Sequence, residues 1–297
     1  MIRHLVALTL ALFALPAMAG IEDADLPPDT AWYFHVDFEA MRSTTVGQKL
    51  YGWLDNEVFD EVREETGFDP NQELDSISAF SDTAGVGTMI VQGDVSQETR
   101  DKILAALQAG GDLSTGKASG FEYYEVQNVD LEDAEIGIQS DTLFMSFDRR
   151  RAIVVSSTLD GMERGLEARP RKSNGKALLV LAADKSLMQA GVDTMALGDG
   201  AATWNSGLLR EAREVAFVLA DTNGDADIQV RVTADDPRTT NSLAAVVRGL
   251  IGLQALSGDV DPNVSMLLSS LDINADSAGL TLALRVSPDV LTDIIND

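Results

Sequence analysis

Residues 215–232 read VAFVLADTNGDADIQVRV, and their pattern decides the fold class. Val215 to Ala220 is an unbroken apolar run. Asn223-Gly224 suits a two-residue hairpin turn, whose central positions both need positive φ. Beyond the turn, Ile228, Val230 and Val232 alternate with Gln229 and Arg231, which sends apolar side chains to one face and polar ones to the other. Leu280, Leu282, Leu284 and Val286 alternate in the same way. Such alternation marks an antiparallel sheet with one buried face. Asp236-Pro237 then opens a helix marked by Leu243, Val246, Val247 and Leu250, and helices of this kind should cover that face.

The same order of signals occurs earlier in the chain. Trp32 to Val36 followed by Asp37 matches Leu178 to Ala183 followed by Asp184 as an apolar strand leading into a helical stretch. In the first half Val46, Leu50, Leu54, Val58 and Val62 recur every four residues, Gly67 can cap the end, and Asp69-Pro70 starts a new helix. Ile77 to Phe80 turns through Ala84-Gly85 into Thr88 to Gln92, and a helix bearing Ile103, Leu104 and Leu107 follows. Strand pairs at Leu143–Phe147 with Ala152–Ser156 and at Leu271–Ala275 with Leu280–Val286 precede helices at Gly161–Leu166 and after Ser287-Pro288. The predicted fold is therefore α+β, with two similar units, each an antiparallel sheet with helices packed on one face. The first unit spans 20–168 and the second 177–297. The stretch 169–176, with Arg169-Pro170-Arg171-Lys172 and Asn174-Gly175, is the linker.

Met1 to Ala19 reads as a secretory signal peptide. Arg3 is its positive start, Leu5 to Leu15 its short apolar run, and Ala17-Met18-Ala19 its small-x-small cleavage site. The expected mature chain begins at Gly20, is periplasmic or secreted, and has no later apolar run of spanning length. It contains no cysteine. Twenty-one basic residues face 48 acidic ones after cleavage, a net charge of −27, and only six residues are lysine. Such a surface repels nucleic acid and anionic lipid and suits a saline medium. Leu26-Pro27-Pro28-Asp29-Thr30, then Val36-Asp37 and Gly67-Phe68-Asp69-Pro70, resembles the opening of certain exported bacterial proteins of unknown function. The resemblance covers the N-terminal part and implies no activity and no site residues.

Motifs with chemical meaning are incomplete. Gly111 to Lys117 approaches a phosphate-binding loop, but Ala118 stands where a hydroxyl should hold Mg²⁺, so a flexible Gly-rich loop is expected. Ser114 and Lys117 have the Ser-x-x-Lys spacing of penicillin-recognising enzymes without the partner motifs. Asp221, Asn223, Asp225 and Asp227 alternate like calcium ligands. Ala226 occupies the glycine position and Val232 the bidentate-glutamate position, so a plain turn competes with a metal site. His35, the single histidine after Gly20, shares a strand face with Tyr33 and Asp37 and is read as a hydrogen-bonded surface residue. Residues 149–176 form a basic island, for which local ion pairing is expected. No cofactor is expected.

Of 16 aromatic residues after Gly20, 14 lie between Trp32 and Phe147. Trp32, Tyr33, Trp53, Tyr123 and Tyr124 are the candidate partner-binding residues, because Tyr and Trp join a large apolar face to a polar edge. The function expected is a non-enzymatic binding or scaffolding protein of the envelope, its partner an envelope macromolecule or an apolar ligand. The alternative is a carboxylate-based hydrolase acting on a glycan, with two acids flanking the bond. The charge yields a first prediction. The melting temperature of the mature protein should rise from low to molar NaCl as screening relaxes carboxylate repulsion. A melting temperature that stays level would remove the saline reading.

Overall fold

The computed structural model describes residues 26–27, 29–128, 142–147, 151–166, 178–181, 183–196, 212–256, 267–268, 270–277 and 279–296. The stretches expected to be a signal peptide (1–19) and a linker (169–176) lie outside the described residues. Twelve strands are described: β1 Thr30–Asp37, β2 Ser76–Asp82, β3 Gly87–Gln92, β4 Asp112–Ala118, β5 Phe121–Gln127, β6 Thr142–Ser146, β7 Ala152–Ser156, β8 Ser186–Asp193, β9 Ala212–Thr222, β10 Asp225–Ala234, β11 Asp272–Asp276 and β12 Gly279–Val286. The helices are α1 Phe38–Ser43, α2 Thr45–Leu54, α3 Asp60–Thr66, α4 Pro70–Glu73, α5 Gln97–Gly110, α6 Leu159–Leu166, α7 Pro237–Leu256 and α8 Pro288–Asn296.

The strands form one antiparallel sheet in the order β11-β12-β10-β9-β8-β1-β2-β3-β7-β6-β5-β4. The α+β class is as expected, but the expected pair of separate sheets is not. The strands of both halves join through β1 and β8, where Trp32 pairs with Val192 and Val36 with Met188. Moving outward from that seam, β1-β2-β3-β7-β6 on one side answers β8-β9-β10-β12-β11 on the other. The first half adds the hairpin β5-β4 at its outer end.

Pairing register fixes the two faces of the sheet. Trp32, Phe34 and Val36 share the first face with Ala79, Met89, Met145, Phe217 and Ile228. Tyr33 and His35 share the second with Phe80, Gln189 and Val154. Helix α2 lies on the first face, and so does α7, whose Leu243 and Ala244 pack with Val230, Val232 and Leu280. Helix α6 lies on the second face, against the expectation that helices keep to one side. Its Met162 and Leu166 cluster with Val154, and Gly165 lets it approach so closely that an added Cβ would sit 2.6 Å from Val154 Cγ1. All five residues of β7 are buried, as a strand covered on both faces requires.

Three further expectations are corrected. The period of four from Val46 to Val62 cannot stay on one face of a helix with 3.6 residues per turn. A π-turn at Asp55–Phe59 absorbs the drift, so Phe59 is the buried residue and Val58 only partly so. Gly67 ends α3 in the left-handed conformation, as expected, with φ 69°. Leu178 to Leu181 is not a strand. It crosses the second face, where the Leu179 and Leu181 carbonyls accept hydrogen bonds from Tyr33 Oη at 2.9 Å and Gln189 Nε2 at 2.5 Å. The strand of that region is β8, which follows it. In α7, Val246 points outward at 39% exposure, and Leu253 is 67% exposed.

Two buried carboxylates hold elements together. Asp221, at the end of β9, accepts from Val46 N at the start of α2 and from Gly224 N in the hairpin turn, both at 2.9 Å. Glu73 closes α4 and accepts from Ser96 N at 2.8 Å, Thr99 Oγ1 at 2.9 Å and Asp69 N at 3.1 Å. It thereby ties the start of α4 to the first turn of α5. Burial pushes the Glu73 carboxyl up, but these donors together with the Ser96 hydroxyl outweigh burial and hold it below the ordinary value of 4.5.

Both carboxylates yield predictions. Asp221→Ala leaves two N–H groups without their acceptor, at about 1–3 kcal/mol each, so urea unfolding should show a loss of about 3 kcal/mol with an unchanged slope. A loss too small to measure would show that α2 does not depend on this carboxylate. Because the folded Glu73 pKa is depressed, its contribution is fully present above the unfolded pKa and is lost as pH falls through the folded one. The stability gap between the parent and Glu73→Gln should therefore narrow below the ordinary glutamate value. A gap independent of pH between neutrality and strong acid would contradict this.

Candidate functional site

The outer end of the first half is built from β4, β5 and β6. Tyr123 pairs with Gly116, and Tyr124 with Thr115 and Met145, so the two tyrosines leave opposite faces of β5. Both are partly exposed. On the second face Tyr123 meets Phe144, with ring centroids 6.0 Å apart and planes at 59°, beside the cluster that includes Met162. On the first face Tyr124 meets Phe147 edge-on at 5.8 Å, and the Arg100 guanidinium of α5 stands 5.5 Å from the Phe147 centroid. Each tyrosine thus packs against a phenylalanine of β6 or of the residue that follows it, and its ring stays partly exposed.

The other aromatic candidates lie elsewhere. β1 is five strands from β5, about 24 Å across the sheet at the usual strand spacing. Tyr33 is 1% exposed beneath Leu178–Leu181 and is a core residue. It can occupy that place because Gly191 opposite it has no side chain to meet the ring. Trp32 and Trp53 are partly buried against the main core. The five candidates therefore divide: Tyr123 and Tyr124 are neighbours on β5 that leave its opposite faces, and the other three lie elsewhere. The adjacency of the two tyrosines was legible as opposite faces, whereas Phe144, Phe147 and Arg100 enter through cross-strand register and helix packing.

The candidate metal residues form a hairpin, not a cage. Asn223 and Gly224 take φ 59° and 91°, the turn expected of Asn-Gly. Asp221 pairs with Ala226 on the first face and Asp227 with Ala220 on the second, so the sheet lies between them. Asp221 spends both oxygens on backbone N–H groups, and Asp227 accepts from Gln229 Nε2 at 3.2 Å. Among the described residues, no three acidic or histidine side chains gather as a metal-holding group.

His35 is more enclosed than a surface histidine, at 9% exposure, and its Nδ1 shares a short hydrogen bond with Ser78 Oγ across the β1–β2 pair. That serine was not anticipated. The pair sits within a continuous ladder, whose backbone N–H groups are committed to neighbouring strands. Gly111 to Lys117 is not a flexible loop, since Asp112–Ala118 is edge strand β4. In the basic island, Arg151 pairs with Asp75 at 3.0 Å, and Arg164 with Asp82 at 2.8 Å and Asp160 at 3.1 Å. Arg149, Arg150, Arg169, Arg171, Lys172 and Lys176 lie outside the described residues.

No helix among the described residues is long and apolar enough to cross a membrane. No family model matches the chain, and no curated protein matches it. Solved structures do. Crystal form III of TP0453 aligns over 93% of this chain and 98% of that one, with 8% identity and a TM-score of 0.50. Crystal form I covers 93% and 97% at 8% identity with a TM-score of 0.44, and form IV covers 97% and 99% at 8% identity with 0.47. The likeness to form III is one of fold: an α+β arrangement around a large antiparallel sheet, followed over nearly the whole length of both chains.

Proposed function

We propose that this chain is an exported, non-enzymatic protein that binds or scaffolds another envelope macromolecule, and that recognition occurs at the outer end of its first half. The observation behind this reading is the mounting of Tyr123 and Tyr124. Two partly exposed aromatic side chains sit on opposite faces of one strand, each anchored against a phenylalanine. Aromatic residues held rigidly at a surface lose little freedom on binding and are the residue types that dominate interface energetics. The positive start at Arg3, the apolar run Leu5–Leu15 and the small-x-small site Ala17-Met18-Ala19 support export and removal of that segment.

The same proposal includes descent from a duplicated unit, 20–168 and 177–297. What supports it is the matching outward strand order from the β1–β8 seam and the placement of α5 and α7 after corresponding hairpins. The position of α6 on the second face and of α8 beside α2, where Lys49 and Asp289 pair at 2.9 Å, would then be later divergence.

The test is capture from envelope extract by the immobilised protein, compared with Tyr123→Ala and Tyr124→Ala variants whose circular dichroism is unchanged. A specific partner should bind the parent at least about tenfold better than the double variant, since losing two hot-spot aromatics is worth more than 1.4 kcal/mol. Equal capture by parent and variant would move the recognition surface elsewhere.

A further inference from the structure

The two edges of the sheet are unlike. β11 is five residues long and bears Asp272 and Asp276, both exposed, with Asp276 held by Arg231 at 3.1 Å. Short length and charge are the ordinary guards of an edge strand. β4 also bears exposed charges, Asp112 and Lys117, but it is seven residues long, pairs with β5 without a register break, and contains Ser114, Thr115 and Gly116 at its centre. Among the described residues it has a partner on one side only.

Small residues on β4 also open the second row of the sheet to a newcomer. Gly116 pairs with Tyr123 and Ser114 with Glu125, all four on the second face. A Cβ at Gly116 would collide with the Tyr123 ring, so the ring reaches over the glycine toward the open edge. Glu125 lies behind a serine, is partly exposed, and accepts from Gln127 Nε2 at 2.6 Å. On the first face the order differs, because Lys117 stands at the edge in front of Glu122. A strand added beside β4 would thus find on the second face an aromatic ring and, two residues along, a carboxylate.

We propose that the β4 edge binds an extended segment of another protein by strand addition, and that the segment places a lysine or arginine two residues from an apolar or aromatic one. Backbone hydrogen bonds to the open edge supply affinity, and the alternate side chains are read by Tyr123 and Glu125. Charge favours this partner. The protein carries −26, so its field steers cationic ligands and repels a second copy of itself. The basic side chain meets Glu125 across Ser114, and its apolar neighbour covers Tyr123 across Gly116. This inference rests on the recognition surface proposed above and names its partner chemistry.

The probe is a short blocked peptide alternating threonine with lysine and tyrosine, titrated into the full chain at low salt. Hydrogen exchange of the β4 amides and fluorescence polarisation are followed together. The expected results are slowed exchange at Leu113–Lys117 and a loss of about tenfold in affinity when alternate peptide amides are N-methylated, as removal of backbone donors requires. Glu125→Gln should weaken binding of the lysine peptide and leave a version with glutamine for lysine unchanged, which a mere loss of stability would not do. Equal binding of the N-methylated peptide, or no binding at millimolar concentration, overturns strand addition. If capture of an envelope partner remains sensitive to Tyr124→Ala while the peptide fails, the partner chemistry falls and the recognition surface stands.

Discussion

The pairing of β1 with β8 is the constraint on which the rest of this structure depends. Each half alone would present the strand that begins it as an open, apolar edge. Laid side by side, the two strands cover one another, and a single sheet with two outer edges results. The seam is reinforced on both faces. On the first, α2 from the N-terminal half rests on strands of the C-terminal half, with Asp221 receiving the Val46 N–H. On the second, Leu178–Leu181 lies over β1 and β8 and accepts the Tyr33 hydroxyl and the Gln189 amide. Polar groups thus fix the alignment of two apolar surfaces that burial alone would leave free to slide.

What could be read from the chain was what local chemistry determines. The Asn223-Gly224 turn and the alternation after it produced the hairpin as expected, as did the strand pair Leu143–Phe147 with Ala152–Ser156. Gly67 and Asp69-Pro70 marked helix ends because capping is settled within a few residues. The misreadings share a cause. Leu178–Leu181 is as apolar as a strand but finds its partners in side chains of β1 and β8. β4 is too rich in Ser, Thr and Gly to look like a strand, and only the ring of Tyr123 explains its glycine. β8 contains Gly191, whose place is explained by the Tyr33 ring packed against it. In each case the deciding neighbour comes from another element, and no window of sequence contains both.

The candidate site shows the same division. Tyr123 and Tyr124 had to face opposite ways, and they do. Their phenylalanine supports, the opening beside Gly116 and the enclosure of Tyr33 by Leu178–Leu181 depend on elements distant in sequence. Charge was legible as a total, whereas its distribution was not. Among the described residues, the basic side chains Arg151 and Arg164 turn out to be structural ties to Asp75 and Asp82. The buried carboxylates Glu73 and Asp221 serve as acceptors for helix N-termini.

The seam also imposes an order of events on a chain made from its N-terminus. Tyr33 and the carbonyl it reaches, that of Leu179, are 146 positions apart. At about 5–20 residues per second of synthesis, β1 precedes its second partner by roughly ten seconds. Once β2 has been made it can cover one side of β1, while the other side waits for β8. Local hairpins and helices form in microseconds, so the first half has ample time to organise with that edge bare. A chain carrying so many carboxylates keeps such intermediates apart by mutual repulsion. Its acidity then protects the nascent protein from association as much as it solvates the finished one.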